Sequence, residues 1–185
     1  MTMHDAAGPT SRPAMPAVRR LLSVSAAQQQ ALAELLIDCV AGGASVSFMH
    51  PLPVATALAF WQRVAAGVAQ GERALLVAED ASGIVGTVQL VLGQPDNQPH
   101  RADLAKMLVH RRARRAGVGA ALMRTAEALA REWGKTLLVL DTVTGSDAER
   151  LYTRLGWQRV GEIPGYALWP HGGLCSTTYF YRELG

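Results

Sequence analysis

The sequence predicts one mixed α/β domain. Three observations carry that expectation. Four segments with helical apolar spacing alternate with seven short β-rich runs. Glycine, proline or serine marks nearly every junction between them. At 185 residues, 49% hydrophobic and 18% charged, the chain suits one domain with a sizeable core.

The elements follow in order. Residues 17–24, AVRRLLSV, read as a first strand. Ser25 and Gln28 have capping-box spacing and open a helix over 26–41, which stops at Gly42-Gly43. A second helix covers 54–70, entered past Pro51 and Pro53 and ended by Gly71. Residues 73–80 and 84–92, joined by Ala-Ser-Gly, read as a β-hairpin. A polar loop over 93–100 leads to a strand over 102–110. The next helix, 117–133, carries an apolar stripe of Val118, Leu122, Ala126, Leu129 and Trp133. Glu127 and Arg131 are expected to pair on its polar side. Residues 135–143 form an apolar strand, and Ser146 with Glu149 predicts a second capping box opening a helix over 146–155. Residues 157–163 and 177–184 read as the last strands, with 164–173 as a loop between them.

Composition narrows the function. The net charge is only +3 and aromatics are 6%, so a broad basic nucleic-acid face with interleaved aromatics is not expected. Four of the 18 basic side chains cluster in one place, Arg111, Arg112, Arg114 and Arg115. No apolar run reaches the ~18 residues of a membrane span, so no membrane partner is expected. Cys39 and Cys175 stand far apart with no metal spacing, and Cys39 reads as a small core residue, which suits a reducing cytoplasm. His50, His100, His110 and His171 likewise show no metal spacing, so no metal is expected. Residues 1–16, rich in Pro, Ala and Gly without an apolar signal core, read as a disordered leader to a domain over 17–185.

The chemistry concentrates in the strand–turn–helix around HRRARRAGVGA, residues 110–120. Free N–H groups at a helix start point outward, and the helix dipole adds positive charge there. Glycine at 117 and 119 lets an anion approach the backbone closely. Arginines just upstream can grip phosphate oxygens in fork geometry. Together these predict a pyrophosphate cradle. Neither GxxxxGK[ST] nor GxGxxG is present, which argues against a P-loop or a dinucleotide turn.

Arg114-Arg115-Ala116-Gly117-Val118-Gly119 resembles the R-x-x-G-x-G acetyl-CoA motif of the GNAT superfamily of N-acetyltransferases. The order of elements fits that fold as well. The resemblance implies a mixed, mostly antiparallel sheet flanked by about four helices. A narrower similarity, to the tabtoxin-resistance acetyltransferases, lies in residues 42–49, 106–123, 140–157 and 159–174. That group acetylates the amino group of a β-lactam-bearing amino acid.

The resemblance implies roles. Acetyl-CoA would lie beside Met107, Leu108 and Val109, with a backbone N–H near Leu108 or Val109 as oxyanion donor. Its pyrophosphate would meet the N–H groups of Arg115, Ala116, Gly117, Val118, Gly119 and Ala120, and the side chains of Arg112, Arg114 or Arg115. Arg111 is expected to be left to solvent. An amine is mostly protonated near neutral pH, so a base is needed, and Asp103 and Asp141 are the candidates. Asp141 ends the apolar run LLVLD, where partial desolvation would make it a better base. The tabtoxin-resistance group has glutamate where Asp103 stands, and the shorter side chain favours a water relay. Either acid could instead recognise a cationic substrate. Tyr152 would face the CoA sulfur as a proton donor. Ser45, Ser47, Phe48 and Tyr166 are candidates for the acceptor pocket. The partners implied are a small-molecule amine and a second copy of the chain in a homodimer. Acetylation of a peptide or protein amine, and a CoA-binding module without catalysis, remain as alternatives.

Overall fold

The computed structural model describes residues 16–185. The expected leader, residues 1–16, lies outside them except for Pro16. In chain order the elements are β1 (Ala17–Leu21), α1 (Ala26–Ala41), α2 (Val54–Ala69), β2 (Arg73–Asp80), β3 (Gly83–Val91), β4 (Arg101–Val109), a 3-10 turn (Arg111–Ala113), α3 (Val118–Glu132), β5 (Leu137–Val143), α4 (Asp147–Arg154), β6 (Gln158–Leu168) and β7 (Leu174–Glu183).

The strands form one seven-stranded sheet in the order β1-β2-β3-β4-β5-β7-β6. Only β4 and β5 run parallel; every other neighbouring pair is antiparallel. This is the expected fold: a mixed, mostly antiparallel sheet with four helices.

Helices cover the sheet on both faces. On one face α3 and α4 pack Val118, Leu122, Met123, Ala126 and Tyr152 against Leu76, Val88, Leu104, Leu140 and Phe180. On the other, α1 and α2 pack Leu32, Leu36, Cys39, Trp61 and Val64 against Leu75, Val77, Ile84 and Leu108. Strand β3 lies between both layers, which is why its seven residues Ile84 to Leu90 are all buried. Each fully buried Leu or Phe contributes about 1.5–3 kcal/mol.

Local signals explain most boundaries. The Ser25 hydroxyl accepts from the Gln28 N–H at 3.2 Å, and the Gln28 side chain accepts from the Ser25 N–H at 2.8 Å, so the first capping box is complete. At α4 only half the expected box forms. The Ser146 hydroxyl accepts from the Glu149 N–H at 3.1 Å, but the Glu149 carboxylate accepts from the Gly145 N–H instead of turning back to Ser146.

Three expectations need correction. Glu127 does not pair with Arg131. It is 5% exposed and accepts from Trp157 Nε1 at 2.9 Å, with Arg182 Nε 3.2 Å from its other oxygen. Arg131 instead donates to the Leu184 carbonyl. The segment 164–173 is not all loop. Strand β6 runs on to Leu168, leaving only a tight turn before Leu174. As an edge strand with register breaks between Ile163 and Ala167, β6 tolerates Pro164 and Gly165. The first strand ends at Leu21, short of Val24.

Candidate functional site

The site begins where a β-ladder stops. Strands β4 and β5 pair only at Arg101–Leu137, Ala102–Leu138 and Asp103–Val139. Beyond Asp103 they part. The cause is visible on the other edge of β4. Gln89 of β3 pairs with Ala105 and Thr87 pairs with Leu108, so Lys106 and Met107 together stand opposite one residue. This is a β-bulge, and Lys106 takes φ 50° within it. The bulge bends β4 away from β5 and opens a groove of about 1340 Å³.

Backbone alternation assigns the free groups of the wedge. The His110 N–H donates to the Val85 carbonyl of β3 at 2.9 Å. Alternation then turns Leu108 toward β3 as well and Val109 toward the groove. The Val109 carbonyl accepts there from Cys39 Sγ at 3.6 Å and from Arg114 Nε at 3.4 Å. Of the two expected oxyanion donors, Val109 therefore faces the groove and Leu108 serves the ladder.

One end of the groove carries the glycine turn and the free N–H groups that open α3. Gly117 caps α3 with φ 82°, a left-handed conformation that glycine adopts without strain. No side chain caps this helix. The first intrahelical bond runs from the Ala121 N–H to the Gly117 carbonyl at 3.0 Å, so the N–H groups of Val118, Gly119 and Ala120 are free to point outward. A Cβ at Gly119 would stand 3.0 Å from Leu151 Cδ2 and 3.6 Å from Met107 Sδ, so a side chain there would crowd the groove wall. Arg114 and Arg115 line this end, and Arg124 joins them from α3.

The arginine run divides differently from expectation. Arg112 does not line the groove; its guanidinium donates to both Asp80 oxygens, at 2.5 and 3.3 Å. That fork, with help from Ser82, holds the Asp80 carboxyl down to about 2. Arg111 stays exposed and off the groove, as expected, but it has a partner. Its N–H and Nε donate to Asp38 at 2.9 and 2.8 Å, tying the end of α1 to the 3-10 turn. Ala116 also lies off the groove lining, whereas Arg115, Gly117, Val118, Gly119 and Ala120 are on it.

The other end holds the acids and hydroxyls. Asp141 and Tyr152 both line the groove. Asp141 is exposed rather than desolvated, and accepts from the Thr177 hydroxyl at 2.9 Å. Tyr152 is 5% exposed, its ring 6.1 Å from both Trp157 and Phe180. Burial, reinforced by the Asp141 charge, pushes the Tyr152 hydroxyl above its ordinary range, so it stays protonated. Asp103 is drawn elsewhere. It lies off the groove lining, with Arg101 Nη1 at 2.7 Å and Gln94 Nε2 at 3.1 Å from its oxygens.

A lip closes this end. Ser45, Ser47, Phe48 and Tyr166 all line the groove. Ser45 Oγ donates to the Leu168 carbonyl at 2.8 Å, and the His50 N–H donates to the Pro170 carbonyl at 2.9 Å. The segment after α1 is thereby fastened to the β6–β7 hairpin. Tyr166 and Tyr179 bring their hydroxyls to 3.1 Å, and this bond, with burial, pushes the Tyr179 hydroxyl up to about 12. Burial also pushes the Cys39 thiol up to about 11.

Sequence reasoning missed Lys106 and Arg124. Arg124 stands one helical turn beyond Ala120, so its spacing pointed to the groove. Lys106 carried no such signal, because its direction depends on the bulge. Among the described residues, no three His, Cys, Asp or Glu side chains come together to hold a metal ion. No helix of the described residues is long and apolar enough to cross a membrane.

Similar folds recur among solved structures. An N-acetyltransferase from Staphylococcus aureus Mu50 superposes with a TM-score of 0.75 at 13% identity, over 91% of this chain and 98% of that one. A phosphinothricin acetyltransferase from Sinorhizobium meliloti, in complex with acetyl-CoA, gives 0.75 at 18%, over 92% and 89%. A ribosomal-protein-alanine N-acetyltransferase from Brucella melitensis gives 0.73 at 20%, over 90% and 99%. At these identities the likeness speaks for the fold. The profile of the acetyltransferase (GNAT) family matches residues 30–157, well over half of the sequence, and with the wedge and glycine turn in place the chain belongs to that family.

Proposed function

We propose that the chain is a single-domain, acetyl-CoA-dependent N-acetyltransferase that acetylates the amino group of a small molecule by direct transfer in a ternary complex. A β-lactam amino acid of the tabtoxin kind, or another toxin or antibiotic bearing an amine, is the acceptor class. The carrying observation is the continuous groove from the Gly117–Ala120 turn, past Val109, to Asp141 and Tyr152.

The chain's residues fit the cosubstrate. The N–H groups of Val118, Gly119 and Ala120, with Arg114, Arg115 and Arg124, would hold a pyrophosphate. The crowding that a Cβ at Gly119 would cause marks the space such a group needs. Acetyl-CoA supplies a thioester: the acceptor nitrogen bonds the carbonyl carbon, the C–S bond breaks, the amine loses a proton and the sulfur gains one. The Val109 N–H would stabilise the developing oxyanion. Of the two candidate bases, Asp141 is the one on the groove and would take the amine's proton, directly or through water. Tyr152, held protonated, would donate toward the sulfur.

The fastened lip favours a small acceptor over a peptide, because Ser45–Leu168 and His50–Pro170 narrow the acceptor end. Two buried free thiols suit a reducing cytoplasm. Exposed Val160, Ile163, Leu168 and Leu174 on the last hairpin favour a homodimer, which sedimentation would reveal.

A thiol-release screen tests this reading. Acetyl-CoA is offered with amino acids, β-lactam amino acids, aminoglycosides, polyamines and peptides, and products are weighed for one added acetyl group. Transfer to a small amine supports the proposal. Transfer only to peptides, or binding without transfer to anything, overturns it.

A further inference from the structure

Several cations on the groove lining have no task in the scheme above, and Lys106 is the one carried by the bulge itself. Lys106 sits on the bulge of β4 and lines the groove with Asp141, whose charge reaches it. Its Nζ donates to Ser47 Oγ at 3.1 Å and lies 5.9 Å from the centre of the Phe60 ring. Arg101, Arg111 and Arg112 each have a carboxylate within 3 Å; the hydrogen-bond partner of Lys106 is a neutral hydroxyl. An ammonium has three donors, so two remain for another group.

The backbone reinforces the point. Lys106 and Ser47 have φ 50° and 76°, and they are two of the three non-glycine residues with positive φ among those described. Such conformations cost about 1 kcal/mol or more each and persist where the surroundings hold them, often at ligand sites. Here the two strained residues come from different elements and meet over the groove. Burial lowers the Lys106 ammonium below its usual range, and the nearby Asp141 carboxylate draws it back. A partly desolvated cation of this kind gains most from an incoming anion.

The geometry points to Lys106 as the anion-binding residue of the acceptor subsite, so that the acceptor is a zwitterionic amino acid. Its carboxylate meets Lys106 and Ser47, and its amine faces Asp141. This rests on the acetyl-transfer reading, and it narrows the acceptor from any small amine to one bearing an acid group. A polyamine or an aminoglycoside would set its own charge against Lys106 and be rejected.

The test compares acids with their neutral partners. Phosphinothricin and a set of L-amino acids are each assayed beside the corresponding α-carboxamide, with product mass as readout. The wild-type enzyme should prefer the acid by at least about tenfold in kcat/KM, as expected for a charge-assisted hydrogen bond. Lys106→Gln should erase that preference, chiefly through KM, with acetyl-CoA affinity preserved as evidence of an intact fold. Lys106→Arg should keep part of it. Equal use of acids and carboxamides by the wild type, or an unchanged preference in Lys106→Gln, overturns the inference. Acetylation of polyamines or peptides but of no amino acid overturns it while leaving acetyl transfer standing. Tight acetyl-CoA binding with no acetylation of any amine overturns both readings.

Discussion

The indole N–H of Trp157 donates to the Glu127 carboxylate at 2.9 Å inside the core, joining α3 to the start of β6. Arg182 of β7 neutralises the same carboxylate from 3.2 Å. Removing one member of a buried, hydrogen-bonded ion pair costs about 3 kcal/mol. Glu127→Leu is therefore expected to lower Tm by several degrees, and Trp157→Phe by less, since it forfeits one hydrogen bond worth about 1–3 kcal/mol. Thermal unfolding of the two variants measures this. A Glu127 variant as stable as wild type would contradict it.

The arginine run makes a second prediction. Arg114→Ala and Arg115→Ala should each weaken acetyl-CoA binding, by about tenfold for a lost charged hydrogen bond. Arg112→Ala should leave the affinity nearly unchanged, because Arg112 is spent on Asp80. Gly119→Glu should abolish binding, since even a Cβ there crowds Leu151. Calorimetric titration with acetyl-CoA separates these outcomes, and a strong loss in Arg112→Ala would refute the division.

The acids and hydroxyl of the groove make a third. Asp141→Asn should reduce kcat about a hundredfold, the usual scale of lost base catalysis. Its acetyl-CoA affinity should stay close to wild type. Tyr152→Phe keeps the ring packing against Trp157 and Phe180, so Tm should hold while thiol release slows. Full activity in Asp141→Asn would remove it as the base, and an unchanged rate in Tyr152→Phe would leave that tyrosine to packing alone.

Much of this architecture is legible in the residues alone. All four helices follow from local periodicity, caps and glycine stops, which act within a few neighbouring positions. Most of the misreadings share one physical cause: the deciding partner lies far along the chain. Glu127 looks like a solvated i,i+4 acid until β7 brings Arg182 beside it. Arg112 looks like a phosphate ligand until the β2–β3 hairpin brings Asp80. The direction of Lys106 is set by a bulge counted against β3, and one extra residue leaves no mark on composition. Residues 164–173 carry the Pro and Gly of a loop, yet an edge strand with register breaks accommodates both.

Acid pH gives a fourth prediction. Burial alone would raise the Asp38 carboxyl, but hydrogen bonds from the Arg111 N–H and guanidinium, with His110 nearby, bring it below its ordinary value. The folded state therefore holds this carboxylate charged more firmly than the unfolded chain does. The stabilisation is fully present above the unfolded value near pH ~4 and fades as pH falls through the lower folded value. Asp38→Asn should be less stable than wild type at pH 7, and the gap should close under acid. Denaturant titrations across that range follow the gap, and a constant difference down to pH ~2 would refute the assignment.

Stopping the parallel ladder at Asp103 has a consequence for where the sheet leaves backbone unpaired. Unpaired backbone at the rim of a sheet invites strand addition and aggregation. Here the unpaired backbone of β4 lies in the middle of the sheet, with β3 on one side, β5 on the other and helices above and below. A foreign strand cannot slide in sideways. A guest meets those N–H groups along the groove between β4 and β5, inside the sheet rather than at its rim.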